Sequence, residues 1–419
     1  MIQVAELANG IKVLMENIPH VRSVAIGVWV DIGSRDESNE LAGISHFIEH
    51  LMFKGTENRT AKDIAEELDA VGGQLNAFTT KEYTCYYARV LDEHIMLGID
   101  LLGDMLLNSR FDQGDIDRER NVIIEEIKMY EDDPDELVHD IIAGTIWGSH
   151  PLGRPISGDE NTVQSISREQ ILSFYHKYYC SGNMVISVSG NFDGQKVMDG
   201  LNVNFGKLTG PKKQRLYTIP EPARQVVCRV KDNEQVHICL GTQGLALDHE
   251  QIYVLQIINT ILGGGLSSRL FQEIREERGL VYSIYSYHSS YHDSGLFCIY
   301  TGLSKQNVRP ALELIIKEID NIQSNGVPAA ELQRVKEQLK GNLLLSLESI
   351  STRMSRLGKS QLYLDKVTSP DEIVSRIMSV SEDDIKDLAR NCLKPENFCM
   401  ASVGPWDDDD ILQKIFKQG

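Results

Sequence analysis

One order of secondary-structure elements is written into this chain twice. Residues 11–15 (Ile-Lys-Val-Leu-Met) and 23–31 are short, apolar and rich in β-branched side chains, which predicts strands. Helical spacing follows at 41–54 and again at 61–71, where Gly72 and Gly73 end it. Residues 74–90 read as a strand, a polar turn at Thr79-Thr80-Lys81-Glu82 and a second strand. Helical patterns then fill 92–109, 113–131 and 165–180, before a strand at 183–189 closed by Gly190. A polar, Pro/Gly-punctuated stretch at 206–225 interrupts the pattern.

Beyond that stretch the order restarts, with strands inside 226–242, helices at 249–262 and 268–277, and a strand pair at 281–301. Helices at 306–324, 329–348 and near 382–391, a strand at 397–403 and a short C-terminal helix complete it. A shift of 213 overlays the copies: 85 + 213 = 298 puts Cys85 on Cys298, and the same shift puts Tyr87 on Tyr300 and Val122 on Val335. Such identities are few, so the order of elements carries the duplication. The expected fold class is α+β with two homologous halves, each an antiparallel sheet packed on helices. The first half spans 1–210, a linker 211–225 and the second half 226–419. Two unrelated α+β domains are the alternative.

Composition narrows the function. Hydrophobic residues are 42% and charged residues 25% of the chain, which excludes a disordered tail protein, a collagen-like fibre and a disulfide miniprotein. Lys plus Arg is 42 and Asp plus Glu is 61, so the formal charge is 42 − 61 = −19. That sign argues against nucleic acid or an anionic membrane as the main partner and suits a basic or Arg-containing ligand. Seven dispersed cysteines without a CxxC point to free thiols in a reducing compartment. No signal peptide and no membrane span are expected, so a bacterial-type cytoplasm is the predicted location, with an organellar matrix also compatible.

The sharpest chemical feature is His46-Phe47-Ile48-Glu49-His50. Four residues apart on a helix, His46 and His50 project from one face one turn apart, the spacing two imidazoles need to share a small cation. Glu49 reaches a water held by the same cation. Two His and a carboxylate with an open fourth position suit zinc, whose bound water falls to a pKa of about 7. Glu49 would be the base. The bland alternative is a helix with two half-exposed His and a solvated Glu. A third ligand is sought on the helix at 113–131, where Glu119 and Glu126, seven apart, share a face with Val122 and Ile123 between them. One of this pair would bind metal and the other brace a ligand His through its free ring N–H.

His46-Phe47-Ile48-Glu49-His50 together with Glu-Arg-Asn-Val-Ile-Ile-Glu-Glu at 119–126 resembles the inverted-zincin peptidases. Over essentially the whole chain the resemblance is to the pitrilysin family, in its branch of mitochondrial processing peptidase and bacterial processing proteases. It implies Glu126 as third ligand to one zinc per chain, Glu119 as the supporting carboxylate and Glu49 as the catalytic base. Gly263-Gly264-Gly265-Leu266-Ser267-Ser268-Arg269-Leu270-Phe271 is similar to the family's glycine-rich loop. Arg275 and Tyr282 match a pair that hydrogen-bonds the substrate and steadies the tetrahedral intermediate. Asn76 and Ala77 match an edge strand that binds peptide by strand addition. Glu136 and Asp140 match the acidic pair that receives a basic residue before the cut, although a solvated acidic helix start explains them nearly as well.

Adding 213 sends His46 to Asn259, Glu49 to Leu262, His50 to Gly263 and Glu126 to Leu339, so the second half is expected to hold substrate without metal. The resemblance implies a zinc metalloendopeptidase that cuts peptides or unfolded presequence-like segments in an enclosed clamshell chamber. That chamber needs four such halves, hence a homodimer. A non-hydrolytic peptide-holding or scaffold subunit is the rival reading, and such members lack parts of the zinc set.

Overall fold

The computed structural model describes residues 2–213, 215, 217–223, 225–408, 410, 411 and 414. The expected C-terminal helix lies largely outside them. In chain order come β1 (Ile2–Glu6), β2 (Lys12–Asn17), β3 (Ser23–Val30), α1 (Ile44–Leu51), α2 (Ala61–Asp69), β4 (Gln74–Thr79) and β5 (Thr84–Leu91). Helices α3 (Ile95–Asn108), α4 (Gln113–Asp132), α5 (Pro134–Trp147), α6 (Glu160–Ser165) and α7 (Arg168–Tyr178) precede β6 (Met184–Gly190) and α8 (Gly194–Phe205). After the linker follow β7 (Val226–Val230), β8 (Val236–Gln243), α9 (Ile252–Gly263), β9 (Val281–Ser290) and β10 (Gly295–Leu303). Helices α10 (Val308–Asn325), α11 (Ala329–Ser346), α12 (Ile350–Leu364), α13 (Pro370–Ser379) and α14 (Glu382–Cys392) lead to β11 (Cys399–Gly404). Among the described residues no helix is long and apolar enough to cross a membrane.

The first sheet runs β1-β2-β6-β3-β5-β4 and the second β7-β11-β8-β10-β9. Apart from β1, both trace one path, which bears out two copies of one fold. The antiparallel expectation needs one correction per sheet, because β2 pairs parallel with β6 and β7 pairs parallel with β11. Both β6 and β11 return after long helical excursions, and a parallel neighbour requires a crossover of that kind. Gly190 and Gly404 end the two equivalent strands at φ +134 and +144. A Cβ on either would lie inside 3.0 Å of a carbonyl oxygen, that of Ser23 or of Gln235, so both copies require glycine at this corner.

The single shift of 213 does not extend to the helices. Buried Ile44, Phe47, Ile48 and Leu51 of α1 correspond to buried Val254, Ile257, Ile258 and Ile261 of α9, and 254 − 44 = 210. Buried Ile116, Glu119, Arg120 and Ile123 of α4 correspond to buried Leu332, Val335, Lys336 and Leu339 of α11, and 332 − 116 = 216. Loops of different length separate the elements in the two copies, so each helix carries its own offset. The true counterparts of His46, Glu49, His50 and Glu126 are therefore Gln256, Asn259, Thr260 and Asn342. None of these four is a His or a carboxylate.

The compact units are not the contiguous halves expected from the linker. One comprises Met1–Ile127, Pro155–Leu216 and Leu345–Val367, and the other Lys128–Arg154, Tyr217–Leu344 and Thr368–Gly419. Each sheet has one face under its own helices. The other face is covered by a helix from the opposite half of the sequence. In the first unit α12 buries Ile350, Met354 and Leu357 against Leu14, Ala25, Trp29 and Cys85. In the second unit α5 buries Val138, Ile142 and Ile146 against Cys239, Cys298, Tyr300 and Ala401. Cover on both faces explains why β3 is a nearly unbroken apolar run.

Helix α12 approaches β3 so closely that Gly358 touches the Trp29 indole. A Cβ on Gly358 would sit inside 3.0 Å of three ring atoms. Trp29 has little room to yield, since its Nε1–H donates to the buried Ser187 hydroxyl at 2.8 Å. Gly358→Ala gains about 1 kcal/mol of helix propensity but incurs an overpacking cost of about 1–3 kcal/mol. It should lower the urea midpoint of unfolding; a midpoint at or above that of the parent chain would contradict this packing.

Candidate metal centre

Glu37 starts the helix that carries His46-Phe47-Ile48-Glu49-His50. Its buried carboxylate accepts the backbone N–H of Gly43 and of Ser45, each at 2.8 Å, at the end of α1 where N–H groups lack helical partners. Ile44, Phe47, Ile48 and Leu51 face the core, which turns His46, Glu49 and His50 to the half-buried side. The facing helix α4 is locked by Arg120. Its guanidinium donates to the carbonyls of Val163, of Gln164 at 3.2 Å and of Ile166 at 2.8 Å. It also lies 5.4 Å from the Phe47 ring centroid, and burial among apolar neighbours lowers its pKa. With α4 fixed in rotation, Glu119 and Glu126 both point at α1.

The donor atoms converge. Glu126 places Oε1 3.8 Å from His46 Nε2 and Oε2 3.5 Å from His50 Nε2. One donor atom from each of His46, His50 and Glu126 lies within 4.8 Å of the others. These separations are too long for hydrogen bonds. They are close to the roughly 3.4 Å between ligands about 2.1 Å from a tetrahedral zinc. Among the described residues His46 makes no hydrogen bond through either ring nitrogen, and its Nδ1 is buried. Burial, reinforced by His50, pushes its pKa down to about 4, so above that pH a proton does not compete for the ring. The residues fit zinc.

Beside this triad, His50 and Glu49 are each held by a hydrogen-bonding neighbour. His50 Nδ1 lies 3.2 Å from Glu119 Oε2, and Lys54 Nζ lies 2.7 Å from Glu119 Oε1. Glu119 thus joins the His50 ring to the Lys54 ammonium group. Glu49 accepts a 2.5 Å hydrogen bond at Oε2 from the Thr79 hydroxyl. Burial raises the Glu49 pKa above the usual carboxylate value, partly opposed by that hydrogen bond. A carboxyl in that state suits a group that must both take and return a proton.

Thr79 ends β4, which pairs only with β5 and forms the edge of its sheet. Asn76 and Ala77 lie on this edge strand. The Ala77 N–H donates to the Asn76 side-chain oxygen at 2.8 Å, so a peptide added here would replace that bond. Arg275, Tyr282, Glu136 and Asp140 belong to the other compact unit. Arg275 sits on a π-helical turn, Phe271–Glu276, instead of the ordinary helix expected, with its guanidinium 4.7 Å from the Phe271 ring centroid. Tyr282 is the second residue of β9, with 73% of its surface exposed. Glu136 lies in the first turn of α5, where burial and Asp133, Asp135 and Asp140 raise its pKa. Sequence reasoning passed over Lys54, Thr79, Arg120 and Glu37. Of these only Lys54, four residues after His50, stood at a spacing that could have signalled its part.

The sequence is similar to known proteins along most of its length. The family model described as insulinase (peptidase family M16) matches residues 12–160, and that of the peptidase M16 inactive domain matches residues 165–339. A Bacillus subtilis relative described as an uncharacterized zinc protease is 46% identical over 402 residues, 95% of this chain and 97% of its own. A Streptomyces coelicolor relative with the same description is 42% identical over 414 residues, 96% of this chain and 89% of its own. A crystal structure of a protease from Helicobacter pylori shares the fold with a TM-score of 0.90 at 21% identity, covering 97% of this chain and 99% of that one. The chain belongs to peptidase family M16, the pitrilysin family.

The geometry predicts about one zinc per purified chain, removable by chelator. His46→Ala and Glu126→Ala should each weaken zinc binding by more than the roughly 10–100-fold typical of outer-sphere changes. Metal analysis alongside circular dichroism checks this; a folded Glu126→Ala variant with unaltered zinc affinity would remove Glu126 from the ligand set.

Proposed function

We propose that this chain is a zinc metalloendopeptidase of the processing-peptidase branch, cleaving peptides or unfolded presequence-like segments. One observation carries the reading: a three-ligand centre stands beside a partly buried carboxylate, Glu49, that the end of an edge strand holds in place. Zinc bound there would supply Lewis acidity to water and to a peptide carbonyl. Glu49 takes a proton from the attacking water at Oε1, while Oε2 stays with Thr79, and delivers it to the leaving amine. Asn76 and Ala77 bind the extended substrate through main-chain hydrogen bonds. Arg275 and Tyr282 donate to the substrate oxygen where negative charge develops.

The full set of His46, Glu49, His50 and Glu126 weighs against the rival reading of a non-hydrolytic scaffold subunit. We further propose that two chains associate as a homodimer enclosing a chamber, so that Arg275 and Tyr282 of one chain serve the metal centre of the other. A reducing bacterial-type cytoplasm suits the seven free thiols, and an organellar matrix would suit them too.

Glu49→Gln preserves size and ligands while removing the base. Zinc content should stay near one per chain while peptide turnover falls by about 10² or more. In the parent chain that turnover should elute from gel filtration at dimer size. Loss of zinc, or normal cutting, by the variant would disprove the assigned role. The specificity residues should separate kinetically. Arg275→Ala should lower kcat on every peptide, whereas Glu136→Ala combined with Asp140→Ala should raise KM selectively for peptides with Arg near the cut. Equal losses on Arg and Leu peptides in the double variant would mark the acidic pair as structural.

A further inference from the structure

The contacts behind His50 extend one residue further than a ligand and its brace. Lys54 Nζ meets Glu119 Oε1 at 2.7 Å, and Glu119 Oε2 meets His50 Nδ1 at 3.2 Å, so one carboxylate joins an ammonium group to a ligand imidazole. Glu119 is only 7% exposed at its side chain, and Lys54 only 34%. Removing the cation would leave a buried carboxylate with a single partner and free to rotate. The Lys54 backbone is itself fixed: its N–H donates to the Leu51 carbonyl at 3.0 Å, and the next residue, Gly55, bridges to Thr60. From that backbone the ammonium group holds one oxygen of the carboxylate, while the other oxygen meets the imidazole.

We infer that Lys54 is a positioning residue of the metal centre, acting through Glu119 to aim His50 Nε2 at the ion. This rests on the zinc reading above and goes beyond it, because Lys54 touches neither the ion nor the substrate. A salt bridge that only tied the chain after α1 to α4 would contribute to stability and leave zinc affinity alone. A hydrogen-bonded partner of a ligand His typically changes metal affinity by about 10–100-fold.

The test is titration of metal-free full-length protein with zinc against a chromogenic chelator, which needs no substrate. Lys54→Met, which retains the apolar stem, should weaken zinc binding about 10-fold or more. Lys54→Arg should restore most of that loss. In a Glu119→Gln background Lys54→Met should add nothing, since its route to His50 has gone. Should Lys54→Met fail to fold, Lys54→Gln is measured in its place with the same expectations. Parent-like zinc affinity in a folded Lys54 variant, or an undiminished effect in the Glu119→Gln background, overturns the assignment while leaving the metal centre standing. A parent chain that binds no zinc overturns the metal reading and this inference together.

Discussion

The centre depends on one contact between helices, the seating of α4 on α1. Its candidate ligands come from positions as far apart in the chain as 50 and 126, yet their atoms must meet within tenths of an ångström. Ile116, Ile123 and Ile127 are buried on α4, but apolar burial alone leaves some freedom of rotation about its axis. Arg120 removes that freedom, because a planar group donating to carbonyls before and after the end of α6 while lying over Phe47 has one orientation. Its neighbour Glu119 is then directed at His50, and Glu126, two turns on, at both imidazoles. A buried unpaired guanidinium is expensive unless its donors are satisfied, so these carbonyl contacts are what make the arrangement tenable.

The second copy retains the packing and has lost the chemistry. Lys336 stands where Arg120 does and likewise sends its charged end to a carbonyl, that of Met378 at 2.9 Å. Val335 replaces Glu119, and Gln256, Asn259, Thr260 and Asn342 replace the ligands and base. The sheet order and the glycine corner are common to both copies. A fold that needs the helix contact but not the ion can dispense with these His and carboxylate side chains at little cost to its core.

Much of this was legible in the chain. Strands at 23–31, 74–90, 281–301 and 397–403 fall within a few residues of their observed positions, and the buried β-branched run of β3 has few alternatives. His46, His50 and Glu126 converge because helical periodicity fixes which residues share a face. Helix α12 was not legible. Its buried stripe, Ile350, Met354, Leu357, Gly358 and Gln361, includes a glutamine and a glycine that meets the Trp29 indole, which breaks the apolar pattern. The exchange of α5 and α12 between units was equally hidden, since local pattern says which face a helix buries but not against which sheet. The single offset failed for a related reason: loops of different length move each element along the chain, so that 404 − 190 = 214 at the glycine corner, while 254 − 44 = 210 for α1 and 332 − 116 = 216 for α4.

The placement of Thr79 links two parts of the proposed chemistry that sequence motifs treat as separate. It is the last residue of the edge strand, so the element that would receive the peptide backbone also holds the carboxylate that would take the proton. Ala77, two residues earlier on the same face, packs against the core beneath α1. Peptide added to the free edge would extend the sheet by one strand and displace the bond between Asn76 and the Ala77 N–H. The geometry of β4 is then defined from both sides, by β5 and by substrate. A strand held on both edges has less freedom to twist than one held on a single edge, and Thr79 moves with it. Substrate bound in register would in this way help to hold the Thr79 hydroxyl, and through it Glu49 Oε2, in place. Peptide bound out of register by one residue would present the opposite set of side chains and offer the strand different partners.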